Sequence, residues 1–123
     1  MKNDNDFDFI NNFRLQKLEC RQKNCQQLLY KYDDRVPIIV EIKKNPNNYK
    51  LSNHKYMIPK QKSIGEVLNI LRLKLQIKSG ESIFLLSNNN LLVGSDNIQS
   101  VYNKFKDIDG FLYIYICCEN AFG

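Results

Sequence analysis

The stretch Phe111-Leu-Tyr-Ile-Tyr-Ile-Cys-Cys118 is eight consecutive residues that are apolar on both faces of an extended chain. A strand with one wet face alternates apolar and polar side chains, so a run without alternation predicts a central strand with neighbours on both sides. The rest of the chain has to supply those neighbours.

Two candidates lie upstream and close together. Arg35-Val-Pro-Ile-Ile-Val-Glu-Ile42 is β-branched and mostly apolar, and Pro37, which has no N–H, leaves one donor missing from the ladder. Lys55-Tyr-Met-Ile-Pro59 is a second, shorter strand closed by Pro59, joined to the first by a polar connection over 45–54. Their closeness in sequence predicts antiparallel pairing, which leaves the far side of the second strand near an edge. A third strand is expected at Ser82–Ser87, followed by the turn-forming Asn88-Asn-Asn90.

Helices fill the intervals. Ser63-Ile-Gly-Glu66 has the form of a capping box, and Ile64, Val67, Leu68, Leu71 and Leu75 follow on one face of a 3.6-residue period, with Ile70 and Leu73 widening it and Lys78-Ser-Gly80 as the stop. A shorter helix carries Ile98, Val101, Tyr102 and Phe105 behind Asp96 as its N-cap. Before the first strand, Leu18, Cys25, Leu28, Leu29 and Tyr32 predict a helix over 17–31. The Asn- and Asp-rich residues 1–12, with Phe7, Phe9 and Ile10 among them, fit either a loosely held start or a short helix that docks its aromatics. The order is α+β: helical material over 1–33, then strand, strand, helix, strand, helix, strand over 34–123. That is the order of a β-grasp, a four-stranded mixed sheet cradling one main helix, with an N-terminal helical extension in the same compact unit; 123 residues leave no room for a second full domain.

The residues offer little to catalysis. His54 is the single histidine and no Ser or Cys motif accompanies it, and no phosphate loop, carboxylate pair or zinc spacing occurs. Neither a catalytic residue nor a metal ligand is therefore expected. All four cysteines are expected to be reduced and to pack rather than react; Cys117 and Cys118, adjacent on a strand, point to opposite faces and read as small buried hydrophobes. With no membrane-length apolar run and no signal-peptide layout, a cytoplasmic protein is expected. A formal charge of +5 favours acidic partners or anionic headgroups, but lysines such as Lys43, Lys44, Lys60, Lys62 and Lys78 look scattered along the chain and form no nucleic-acid motif. No nucleic acid is expected as a partner.

The tail supplies the remaining candidate. A terminal glycine lacks a Cβ and threads through a narrow enzyme channel, which leaves its carboxylate as the reactive group. Together, Tyr32-Asp-Asp-Arg-Val-Pro-Ile-Ile-Val-Glu41, Lys55–Pro59, Ser63-Ile-Gly65, Asp109-Gly-Phe-Leu-Tyr-Ile114 and the ending Phe122-Gly123 resemble the autophagy-related protein eight family, in register from about Leu28 onward.

The resemblance implies a ubiquitin-like modifier conjugated through Gly123, next to Phe122, to phosphatidylethanolamine. ATP is consumed by a partner activating enzyme, a conjugating enzyme follows, and a cysteine protease deconjugates; the chain itself needs no cofactor beyond the covalent lipid. It also implies docking of receptors and adaptors through short aromatic-x-x-aliphatic motifs that add a strand beside Lys55–Pro59. Carried over by position, the aromatic pocket takes Leu28, Pro37, Lys55, Met57 and Phe111. The aliphatic pocket takes Tyr56, Ile58, Pro59, Val67, Ile70 and Leu71, and Arg35 and Lys74 supply a charged rim. The implied location is the cytoplasm and, lipid-anchored, the autophagosome or a related vesicle. Departures from the family pattern at Asp33, Lys62, Val67 and Leu73 imply a shallower, differently selective second pocket, and Asn24 and Asn53 stand where relatives carry charge. An interaction module of the same fold that acts in membrane trafficking without conjugation is the alternative reading.

Overall fold

The all-apolar run does occupy the middle of the sheet. In a computed structural model that describes residues 9–120, with the backbone alone at Asn120, strand β5 (Leu112–Asn120) pairs in parallel with β1 (Arg35–Lys44) and antiparallel with β3 (Glu81–Ser87). Strand β2 (Lys55–Pro59) pairs antiparallel with β1, and a two-residue strand β4 (Asn90–Leu91) pairs with β3, giving the order β2-β1-β5-β3-β4. The sheet thus has five strands rather than the four expected. The extra one follows a two-residue loop, Asn88-Asn89, whose positive φ values of 49° and 63° match a tight hairpin turn, so the third asparagine of the expected turn belongs to β4.

Among the described residues four helices cover the sheet: α1 (Phe9–Arg14), α2 (Leu18–Lys31), α3 (Ile64–Leu75) and α4 (Ile98–Phe105). On one face α3 and α4 bury Ile64, Val67, Leu71, Ile98 and Val101 against the inward residues of the strands, among them Val36, Ile38, Leu85, Leu112, Ile114 and Cys118. The other face carries a smaller cluster, in which Ile10 and Phe13 of α1 and Cys25 of α2 meet Ile39, Phe111 and Tyr113. Alternation along β5 feeds both clusters, which is why its sequence shows no polar face. Of the two readings of the N-terminal segment, the short helix is the one observed from Phe9 onward; residues 1–8, Phe7 included, lie outside the described residues.

Several local expectations shift in detail. The capping box of α3 is complete: the Glu66 N–H donates to Ser63 Oγ at 3.1 Å and the Ser63 N–H donates to Glu66 Oε1 at 2.9 Å. That helix ends at Gln76, in a left-handed conformation with φ 55°, four residues before Gly80. The Ile77 N–H donates to the Arg72 carbonyl at 3.1 Å and its side chain returns to the core, so hydrophobic closure ends the helix where no glycine stands. The N-cap of α4 is Asn97, whose side chain accepts from the Gln99 N–H at 2.8 Å, one position later than the expected Asp96.

The N-terminal helices are fastened by a buried polar knot. Asp109 accepts from Arg21 Nε at 3.0 Å, from the Phe111 N–H at 2.8 Å and from the Tyr113 hydroxyl, while Arg21 Nη1 also donates to the carbonyls of Arg14 and Gln16. Burial and the carboxylate contact push the Tyr113 hydroxyl well above its ordinary pKa, so it stays a donor.

Candidate functional site

Strand β2 borders only β1 among the described residues, so its outer backbone edge is open to an added strand. The register decides which side chains flank that edge. Lys55, Met57 and Pro59 lie opposite Ile39, Pro37 and Arg35, while Tyr56 and Ile58 lie opposite Ile38 and Val36. Cross-strand partners share a face. The edge is therefore flanked by two surfaces: Lys55 and Met57 toward α1 and α2, Tyr56 and Ile58 toward α3.

On the first surface the structure gathers Leu28 from α2, Pro37 from β1, Lys55 and Met57 from β2, and Phe111 at the entrance to β5. Pro37 and Phe111 are buried floor, whereas Leu28, Lys55 and Met57 are half-buried. Two residues absent from the expected set complete it. Phe13 stands edge-on to Phe111 with ring centres 5.5 Å apart, and Asn24 Oδ1 accepts from Lys55 Nζ at 3.0 Å. The Lys55 ammonium lies 5.3 Å from the Phe13 ring centre and 5.6 Å from that of Phe111. Its desolvation here lowers the lysine pKa from the ordinary value. The only sequence signal for Phe13 is its spacing from Phe9 and Ile10, which places all three within one turn of α1. Phe9 in turn stacks on His54 at 4.2 Å.

The second surface is set deeper. Ile58, Val67 and Leu71 are buried at 5%, 0% and 1% exposure and form its floor, leaving Tyr56 and Ile70 half-buried at the opening. Burial raises the Tyr56 hydroxyl, which donates to the Asn53 carbonyl at 2.7 Å. Pro59, assigned to this pocket by position, ends β2 in register with Arg35, on the side of Lys55 and Met57. Arg35 lies 5.7 Å from the Tyr32 ring centre and 3.9 Å from Asp34, and Lys74 is exposed near the end of α3. Clefts of about 590 Å³ and 330 Å³ lie elsewhere, one bounded by Arg14, Lys43, Tyr113 and Tyr115 and the other by Leu91, Val93 and Phe105. Neither includes a residue of the β2 edge.

Thiol chemistry has little support in this environment. Burial pushes Cys25 and Cys118 each up to about 11, so both remain protonated and poor nucleophiles. The hydrogen bond described for His54 runs from Nδ1 to the Val40 carbonyl at 2.8 Å. All four cysteines are free; Cys25, Cys117 and Cys118 are buried, whereas Cys20 on α2 is exposed and does not pack as expected, and among the described residues no group of three His, Cys, Asp or Glu side chains is placed to hold a metal. No helix of the described residues is long and apolar enough to cross a membrane. Phe122 and Gly123 lie outside the described residues.

Residues 20–123 match a family model described as autophagy protein Atg8, ubiquitin-like. Among curated proteins, the chain is 36% identical to Autophagy-related protein 8D of Oryza sativa subsp. japonica, over 86% of this chain and 91% of the relative. It is 31% identical to Autophagy-related protein 8h of Arabidopsis thaliana, over 84% and 87%. Among solved structures, the crystal structure of Trypanosoma brucei ATG8 superposes with a TM-score of 0.79 at 31% identity, covering 87% of this chain and 92% of that one.

Proposed function

Because the chain belongs to the Atg8 family of ubiquitin-like autophagy proteins, we propose that it is a modifier and not an enzyme. In this reading it is joined through Gly123 to phosphatidylethanolamine on autophagic membranes, where it docks short aromatic-x-x-aliphatic motifs of receptors and adaptors. The observation that carries the docking half is the open edge of β2 with an aromatic-lined surface on one side and an aliphatic one on the other. An extended peptide alternates its side chains, so a strand added to that edge sends residues to both surfaces while its backbone satisfies the free N–H and C=O groups.

The conjugation half rests on family membership and on the Gly123 carboxylate. An activating enzyme adenylates the glycine carboxylate with ATP and releases pyrophosphate, an enzyme cysteine displaces AMP to form a thioester, and the lipid amine displaces the thiol to form an amide. The catalytic thiols belong to the partner enzymes. Two acyl chains then hold the domain, each buried CH₂ contributing about 0.8 kcal/mol, where a single chain would hold it only marginally.

Reconstitution with the activating and conjugating enzymes on phosphatidylethanolamine vesicles tests both halves. Gly123→Ala is expected to abolish lipid attachment and leave peptide docking intact. Met57→Glu and Ile70→Glu are expected to conjugate normally and lose motif peptides at least tenfold. Normal lipidation of Gly123→Ala would remove the modifier reading, and unchanged peptide affinity in both glutamate variants would remove the docking site.

A further inference from the structure

Lysines that look scattered in the sequence converge at one end of the fold. Strands β1 and β5 run in parallel and finish together: Lys44 pairs with Cys117, and its Nζ lies 3.4 Å from Glu119. The β1–β2 connection then folds over the same end. Asn45 closes it, accepting from the Tyr49 N–H at 2.8 Å through its side-chain oxygen and donating to the Tyr49 carbonyl at 2.6 Å. The Tyr49 hydroxyl donates to the Glu81 carboxylate and accepts from the Lys78 N–H at 3.2 Å. Arg72 completes the join by donating to the carbonyls of Glu81, at 2.9 Å, and Lys78, at 3.4 Å.

This tyrosine-centred clasp brings Lys50 and Lys78 to the end already occupied by Lys43 and Lys44, and all four lysines are exposed. With Arg72, five cations face two carboxylates. One of these, Glu119, is ion-paired to Lys44, and the other, Glu81, is buried at 7% exposure. Glu41, farther back on β1, is buried and accepts from the Ile10 N–H at 2.9 Å. The excess of three positive charges is more than half of the formal +5 of the whole chain.

The same end is where the chain leaves the sheet, since Asn120 of β5 pairs with Glu81 of β3. Gly123 is the third residue after Asn120, a span of at most about 11 Å, and the Debye length at physiological salt is about 8 Å. A domain tethered at Gly123 would therefore hold this end of the sheet within about one to two Debye lengths of the bilayer carrying it. We infer that Lys43, Lys44, Lys50 and Lys78 form a contact face for a bilayer rich in anionic headgroups, which orients the anchored domain and makes its membrane association depend on lipid charge. This deepens the conjugation reading by naming the lipid environment, and the face exists whether or not the amide forms.

Sedimentation of the unconjugated full chain with vesicles separates the two. Vesicles of phosphatidylcholine alone are compared with vesicles in which roughly one-third is phosphatidylserine, at low and high salt. Wild type is expected to bind the anionic vesicles, not the neutral ones, and to release at high salt. Each lysine near a charged surface contributes about fivefold in partition, so K43Q/K44Q/K50Q/K78Q is expected to lose about a hundredfold or more. K17Q/K23Q/K31Q/K104Q, with the same change in net charge at other exposed lysines, is expected to lose less than tenfold, and circular dichroism confirms that both variants fold. Equal loss in the two variants, or no preference of wild type for anionic vesicles, overturns the inference. Gly123→Ala is expected to bind like wild type, so a failure of conjugation leaves this result readable.

Discussion

Replacing Asp109 by alanine tests how the N-terminal helices are held to the sheet. The carboxylate side chain is fully buried and that of its partner Arg21 is 10% exposed. Its removal takes away three acceptor contacts at once: the charge-assisted bond from Arg21 Nε and those from the Phe111 N–H and the Tyr113 hydroxyl. Breaking a buried ion pair from one side costs about 3–5 kcal/mol, chiefly because the other charge is stranded. Arg21 keeps the carbonyls of Arg14 and Gln16, which lowers that cost, while an orphaned backbone N–H and hydroxyl add about 1–3 kcal/mol each in the least favourable case. The expectation is a loss of about 3–5 kcal/mol, a large share of the roughly 5–15 kcal/mol available to a domain.

The assay is urea unfolding followed by tyrosine fluorescence and circular dichroism, on Asp109→Ala, Arg21→Met and the double variant. Arg21→Met removes the charge and keeps the aliphatic packing, leaving the carboxylate with two donors, so it is expected to cost less than Asp109→Ala. The double variant is expected to be at least about 1.5 kcal/mol more stable than the sum of the single losses implies. Strict additivity, or an Asp109→Ala loss under about 1 kcal/mol, would refute the view that this pair clamps α2 and with it Leu28 beside the first pocket.

Two further outcomes are expected. Gly110 sits at φ +94°, and a Cβ there would lie 2.6 Å from Cys25 Sγ. Backbone strain of about 1–3 kcal/mol and overpacking of similar size predict that Gly110→Ala costs about 2–5 kcal/mol in chemical denaturation, partly recovered when Cys25→Ala is added; a loss below about 1 kcal/mol contradicts the contact. In the capping box, Ser63→Ala is expected to cost about 1 kcal/mol. Glu66 is held below its ordinary 4.5, first by the hydrogen bond from the Ser63 N–H, which outweighs an opposing desolvation, with Lys62 adding to the lowering. A lowered carboxyl pKa stabilises the fold in full above the unfolded value and loses that contribution as pH falls through the folded one. The stability gap between wild type and Glu66→Gln is therefore expected to narrow below pH 4.5, and a gap that widens there would reverse the assignment.

What the sequence makes legible is what local pattern encodes. The capping box, the stripe from Ile64 to Leu75, the paired strands around Pro37 and Pro59 and the central Phe111–Cys118 run all carry their own periodicity, and each forms. The two-residue strand β4 has no period to read, being set by the positive φ of Asn88 and Asn89. The end of α3 at Gln76 depends on where Ile77 finds the core, which no glycine marks. At the candidate site, the division of Lys55 and Met57 from Tyr56 and Ile58 comes from the family resemblance; alternation along β2 agrees with it but puts Pro59 beside Lys55 and Met57, where the resemblance puts it with Tyr56 and Ile58. Phe13 and Asn24 join the first surface through helices whose docking depends on Arg21 finding Asp109 across 88 residues of sequence, and Lys50 and Lys78 meet through the Tyr49 hydroxyl. Contacts of that reach leave no trace in local spacing.

The parallel pairing of β1 with β5 has a mechanical consequence. If the protein is anchored and docks a strand as proposed, a tension applied between the bilayer and that strand would enter through the C-terminal end of β5 and leave through β2, with β1 between them. Because β5 is central, the load runs along its length and strains the hydrogen bonds to β1 and β3 together, instead of unzipping them one at a time as it would from an outer strand.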